Sequence, residues 1–281
     1  MMGQVNSEHR DVPGRSGGSR GDVRFYFTLA AVITGAVFSV LFGLVVASAG
    51  NYIAFKYFLL FALILALIAA FPVAARYVRV DLAGAIRTVE CDGVPGTEIR
   101  YSAWQFRIAV ALMGCCGLFT GSAAVEIFIY QDEGFPGAAV ISGALCIVFA
   151  SFVAAVALGR IRRGGVTLSS KGIAQRGWSF ESQLSWSAVV GVQLAFIGYA
   201  GLPAVLVGGY ANAAWDRRYT TRFWRDRLPE IPMIQLDCRQ FDVDPHVLYG
   251  YISAYVDNPA LRGELGFEAA LARARLSRPC G

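Results

Sequence analysis

The chain has 281 residues, of which 56% are hydrophobic and only 16% charged. An ordinary soluble domain carries about 25% charged residues, so this composition argues against one large soluble globule and for membrane spans. The formal net charge of +5 has a simple source in that setting, because membrane proteins gather Lys and Arg on the cytoplasmic side. No nucleic-acid recognition motif accompanies the charge, and no nucleic-acid partner is expected.

Residues 1–24 are polar and rich in Gly, Ser and Arg. They lack the apolar side chains to build a core and are expected to form a disordered tail. Four apolar runs follow, at 25–50, 57–78, 108–130 and 138–159. Each reaches the roughly 20 helical residues that a bilayer core requires. The first two are joined by the short link 51–56 and the last two by 131–137, which predicts two helical hairpins.

Orientation follows from the basic residues between the runs. Arg10, Arg15, Arg20, Arg24, Arg76, Arg79, Arg87, Arg100, Arg107, Arg160, Arg162 and Arg163 fall on one side, and Lys56 alone on the other. Twelve against one places both termini in the cytoplasm, with the chain in the cell (plasma) membrane. The loop 79–107 carries two short alternating segments around Gly93-Val94-Pro95-Gly96, which read as a β-hairpin able to pack on the C-terminal domain.

After Gly164 the hydrophobic period changes. Val166–Ser170 and Ile173–Trp178 flank Lys171-Gly172, a hairpin signal. Residues 183–186, 189–196 and 232–238 read as further strands. Residues 188–215 carry no charge at all, which raises the question of a fifth span. Gly191, Gly198, Gly201, Pro203, Gly208 and Gly209 fit strand–turn–strand better, and a fifth span would export the five arginines of 216–227. Asp244-Pro245 supplies an N-cap and a first-turn proline for a helix through Tyr255. A second helix is predicted over 261–276.

Val166-Thr167-Leu168, Gly172-Ile173 and Leu184-Ser185-Trp186-Ser187-Ala188-Val189 resemble the bacterial PH-like domains, in which the third strand runs into a Trp within an I-x-W-x-x-I/V pattern. The closing residues Asp237-Cys238-Arg239, Asp244-Pro245 and 255–259 are similar to those of actinobacterial multi-pass membrane proteins with such a domain. The resemblance covers about 166–260 and implies an antiparallel sheet closed by a terminal helix. Residues 198–212 depart from it, being longer and more apolar than a typical strand pair. PH-like folds serve lipid binding, peptide binding and scaffolding alike, and the resemblance supplies no catalytic residue.

The expected fold is thus an α-helical membrane bundle of four transmembrane helices in two hairpins, plus a C-terminal α+β PH-like domain. The layout is a tail at 1–24, a membrane domain at 25–163 with the loop 79–107, the PH-like domain at 164–260, and a helix and tail at 261–281.

No Ser/His/Asp set, phosphate-binding loop or metalloprotease motif occurs, and neither an enzyme nor a cofactor is expected. His9 falls in the tail and His246 at a helix start. Asp237, Asp242 and Asp244 lack the following Glu of a calcium loop, so no metal site is expected. The six cysteines show no zinc spacing and are expected to be reduced thiols.

Three features leave two readings each. Glu126 is the one acid inside a predicted span, either an intramembrane polar site or an interfacial residue near the outer headgroups. Gly117-x-x-x-Gly121 marks either dimerisation or packing within the bundle. Residues 215–227 set Trp215, Tyr219, Phe223 and Trp224 among Arg217, Arg218, Arg222, Arg225 and Arg227. They form either a solvated edge or a contact with a partner or with the anionic inner leaflet. Function is therefore expected to be that of a non-enzymatic accessory or scaffold subunit at the inner face of the membrane. Its partners would be membrane lipids and an unidentified protein. The alternative is lipid or small-solute handling through the helix bundle.

Overall fold

The computed structural model describes residues 18–78, 80–91, 93–130, 136–197, 202–226, 228 and 230–277. Most of the expected tail, the turn at 131–135 and the strand connection at 198–201 lie outside the described residues, as do His9, Arg79, Arg227 and Cys280. The last residues assigned to the tail are helical, because α1 (Gly18–Ser48) starts ahead of its apolar run.

Four helices are long and apolar enough to cross a membrane. They are α1 and α2 (Tyr52–Tyr77), then, beyond the four-residue α3 (Leu82–Ala85), α4 (Ala103–Ile129) and α5 (Pro136–Ala157). The link at 51–56 is shorter than expected. Asn51 caps α2 by accepting from Ala54 N–H at 3.0 Å, so helix begins at Tyr52 and takes in Lys56. The helices lie in a row, α1 on α2, α2 on α4 and α4 on α5. Small residues set the spacing: a Cβ on Gly121 of α4 would meet Cys146 Sγ of α5 at 2.9 Å. Gly117-x-x-x-Gly121 therefore serves packing within the chain, where the missing side chains let two helices approach.

The loop between α2 and α4 forms the expected β-hairpin, and it joins the C-terminal domain more closely than by packing on it. Its strands β1 (Ile86–Cys91) and β2 (Val94–Arg100) belong to that domain's sheet. Strand β2 pairs with β3 (Gly165–Ser169), Ile99 opposite Val166 and Thr97 opposite Leu168. Strands β4 (Gly172–Arg176), β5 (Phe180–Ser185) and the short β8 (Asp216–Tyr219) complete a six-stranded antiparallel sheet in the order β1-β2-β3-β4-β5-β8. Trp186 follows β5 in a 3-10 turn rather than ending the strand.

The uncharged stretch after residue 188 forms no fifth span. It folds as β6 (Val189–Ile197) and β7 (Leu202–Gly209), which pair with each other and, through β7, with β9 (Met233–Asp237). The capped helix stands as read: α6 (Pro245–Asp257) opens with Asp244 accepting from His246 N–H at 2.8 Å. The stretch 261–276 is not one helix. A 3-10 turn (Pro259–Glu264) leads to Gly266, whose φ of +86° breaks the helical path, and α7 (Glu268–Leu276) begins beyond it.

One core unites these parts. Strand residues alternate across the sheets, so Ile99, Leu168, Ile173, Leu184, Val207 and Leu236 all turn inward and are buried. Leu248, Tyr251, Ile252 and Tyr255 of α6 close the core from the side of β6 and β7. Helix α7 rests on α3 and β1, and Gly266 N–H donates to Thr97 Oγ1 at 2.9 Å, fastening the end of the chain to the inserted hairpin.

Candidate functional site

The segment after β7 contains the arginines and aromatics singled out in the sequence. The structure divides them. Arg217 and Arg218 lie on β8 and serve the sheet. Arg218 ion-pairs with Glu181 of β5 at 2.5 Å. Arg217 donates to Met233 O at 3.1 Å and stacks over the Trp215 ring at 4.6 Å. Burial holds its guanidinium below the usual arginine range.

Beyond β8 the chain runs down the side of α5. Thr220 Oγ1 donates to Arg160 O at 2.8 Å, just past the helix end. Trp224 then reaches Ser151, its indole N–H donating to Ser151 Oγ at 3.1 Å and its ring meeting Phe152 edge-on at 5.1 Å. Ser151 lies six residues before the end of α5, about 9 Å along the axis at 1.5 Å per residue. Trp224 therefore sits beside the apolar helix, not at its tip. Next to it Phe223 is 81% exposed, Arg222 is exposed, and Arg225 stacks over Tyr219 at 5.1 Å. Of the nine aromatic and arginine residues singled out in 215–227, Arg222, Phe223, Trp224 and Arg225 form one patch at the helix flank, and Arg227 lies outside the described residues.

Further contacts fasten the C-terminal domain to the helix ends. Val80 N–H donates to Asp242 O at 2.6 Å, Ser102 N–H to Gln240 O at 2.6 Å, and Tyr101 N–H to Gly164 O at 2.9 Å. The Gln105 side chain donates to Arg239 O at 2.6 Å, and Phe106 meets Trp178 edge-on at 5.8 Å. Between these fastenings and the ends of α1 and α2 a cavity of about 800 Å³ remains. Its apolar wall includes Phe25, Phe71, Pro72 and Ala75, with Leu202 and Pro203 of β7. Its polar wall includes Arg76 and Gln105 of the helices and Asp226, Asp237 and Arg239 of the domain. Arg76 stacks over Phe25 at 5.0 Å. Arg239 grips Asp237 with two nitrogens, at 3.0 and 2.6 Å, and this hydrogen bonding holds its guanidinium above the usual arginine range. Sequence reasoning missed this cavity, because its lining comes from seven separated segments and no local spacing signals it.

Glu126 of α4 has a charged partner on another of the long apolar helices. Lys56 of α2 donates to Glu126 Oε1, and Tyr57 OH donates to Oε2 at 2.7 Å. The pairing arises because α2 begins at Tyr52, which brings Lys56 onto the helix opposite the far end of α4. The cluster ties the two helical hairpins together. Its side chains remain partly exposed, 42% for Lys56 and 22% for Glu126, so the pair is worth on the order of 1 kcal/mol. Glu126→Gln and Lys56→Gln are each expected to lower the thermal unfolding temperature in detergent. The double variant should lose less than the sum of the two; additive losses would show that the pair does not couple the hairpins.

His246 is exposed at the start of α6, and Asp244 is committed to its cap. Among the described residues no group of three or more His, Cys, Asp or Glu side chains gathers in a way that could hold a metal ion. No family model matches the chain, and neither a curated protein nor a solved structure matches it.

Proposed function

We propose that the chain is a non-enzymatic, membrane-anchored PH-like module acting as an accessory or scaffold subunit at the inner face of the cell membrane, with both termini cytoplasmic. The observation that carries this reading is the pairing of β2, from the loop between two apolar helices, with β3 of the C-terminal domain. A domain joined by a single linker would tumble on its tether. Here main-chain pairing and shared core residues hold it in one pose against the helices, as presenting a fixed face to a partner requires. Two antiparallel sheets closed by α6 are consistent with a PH-like module. The patch of Arg222, Phe223, Trp224 and Arg225 adds a contact with the anionic inner leaflet. Its aromatics lie at headgroup depth, and each basic side chain near the surface contributes about 1 kcal/mol. A pathway through the bundle is less well supported, because the principal helix contacts form a row rather than a ring.

The test is native mass spectrometry of the protein extracted gently from its own membrane. The proposal expects a stoichiometric protein partner that dissociates when the outer face of the six-stranded sheet or of α6 is altered. A chain that emerges alone under conditions that keep other membrane complexes intact contradicts the accessory-subunit role.

A further inference from the structure

We propose that the cavity between the ends of α1 and α2 and the C-terminal domain is a binding site for one zwitterionic glycerophospholipid. The inference rests on the reading above that the helices cross a membrane with the domain at its surface. Phe25 lies near the start of the first apolar helix and Arg76 in the last turn of the second, so the cavity opens at the level where a bilayer turns from chains to headgroups. Its volume of about 800 Å³ falls within the roughly 300–1,000 Å³ of ligand pockets.

The lining matches an amphiphile in two parts. Phe25, Phe71, Pro72 and Ala75 continue the lipid-facing surface of the helices into the cavity, a wall for acyl chains. The opposite wall carries Arg76 and Arg239 against Asp226 and Asp237, so the formal charges of the described lining residues cancel. A headgroup that brings a phosphate and an ammonium finds a complement for each. The phosphate faces Arg76, whose guanidinium is held over the Phe25 ring at the chain boundary. The ammonium faces Asp226 and Asp237. A headgroup with a phosphate but no ammonium would bring no cation to those two carboxylates. The Arg239–Asp237 pair, fixed by its two-nitrogen grip, offers a preorganised dipole that needs no rearrangement on binding.

The experiment reconstitutes the full chain with equal amounts of phosphatidylethanolamine, phosphatidylcholine and phosphatidylglycerol, then strips it to bound lipid by native mass spectrometry. One retained zwitterionic lipid, phosphatidylethanolamine or phosphatidylcholine, is expected, favoured at least about fivefold over phosphatidylglycerol. Arg76→Gln should reduce retention about tenfold, the loss of one charge-assisted contact. Ala75→Trp fills the apolar wall without removing charge and should abolish retention while the unfolding temperature is kept. Glu126→Gln, at the other end of the helices, should leave retention unchanged. Glycerophosphoethanolamine, the headgroup without chains, should not displace the lipid. The proposal is overturned by absence of a retained lipid, by retention indifferent to both cavity variants, by preference for phosphatidylglycerol, or by displacement with the chainless headgroup. A carbonate wash of native membranes separates this proposal from the membrane reading. A chain stripped by carbonate overturns both, whereas a chain that stays but holds no lipid overturns only the site.

Discussion

Ile99→Ala is expected to destabilise the C-terminal domain by about 3 kcal/mol, within the range of roughly 2–5 for large aliphatic side chains cut to Ala in a core. Ile99 belongs to the loop between two apolar helices, so this would be a large cost for a mere connection. It is fully buried, however, opposite Val166 of β3 on one side and Ile86 of β1 on the other. Truncation leaves a cavity among side chains contributed by both parts of the chain. Thr88→Ala, at an exposed position of β1, should change stability by less than about 0.5 kcal/mol. Urea unfolding in detergent, followed by fluorescence of Trp186 in the same core, measures both. Equal effects of the two variants would remove the hairpin from the core.

Gly164→Ala is expected to cost about 2–3 kcal/mol through overpacking. Gly164 joins α5 to β3. A Cβ there would sit 2.4 Å from Arg176 O and 2.5 Å from the Tyr101 ring. Neither neighbour yields easily. Arg176 O is backbone within the β3–β4 pair, and Tyr101 is buried with Gln175 donating to its hydroxyl at 3.1 Å. The strain therefore falls on the joint between domain and helices, and the amide of Tyr101, which donates to Gly164 O, should exchange with solvent faster. Gly250→Ala is the contrast, since a Cβ at that position in α6 meets nothing within 4 Å. That substitution should stabilise by up to about 1 kcal/mol. A Gly164→Ala chain with unchanged unfolding and unchanged exchange would show that the joint is loose.

Local physics made part of this fold legible. The four apolar helices could be read from composition alone, because burial in lipid requires length and hydrophobicity and little else. The cap at Asp244 and Pro245 was equally local, a side chain acting two residues away. The strand character of 189–209 could be inferred from glycines, a proline and the arginines that follow. What the sequence did not reveal is pairing across distance. Nothing near Thr97 indicates that it will lie opposite Leu168, some 70 residues on, and nothing near Lys56 indicates Glu126. The arginine segment was legible as a composition but not as a division of labour. Adjacent residues point to opposite sides of a strand, so Arg217 and Arg218 were drawn into the sheet, while Arg222 and Arg225 were left on the irregular stretch beside α5. The cavity at the joint was invisible for the same reason, since Phe25, Ala75, Gln105, Trp178 and Pro203 meet only after the hairpin has locked the domain in place.

The most direct test of the account is limited trypsin digestion of sealed inverted membrane vesicles, before and after detergent is added, with cleavage sites mapped by mass spectrometry. Exposed Arg275 on α7 should be cut at once in inverted vesicles and spared in right-side-out ones. Arg222 and Arg225 should resist cleavage until detergent removes the leaflet against which Phe223 is placed. Cutting at Arg275 from the outside would contradict the orientation, and equal cleavage at Arg222 and Arg225 with and without the membrane would contradict the leaflet contact.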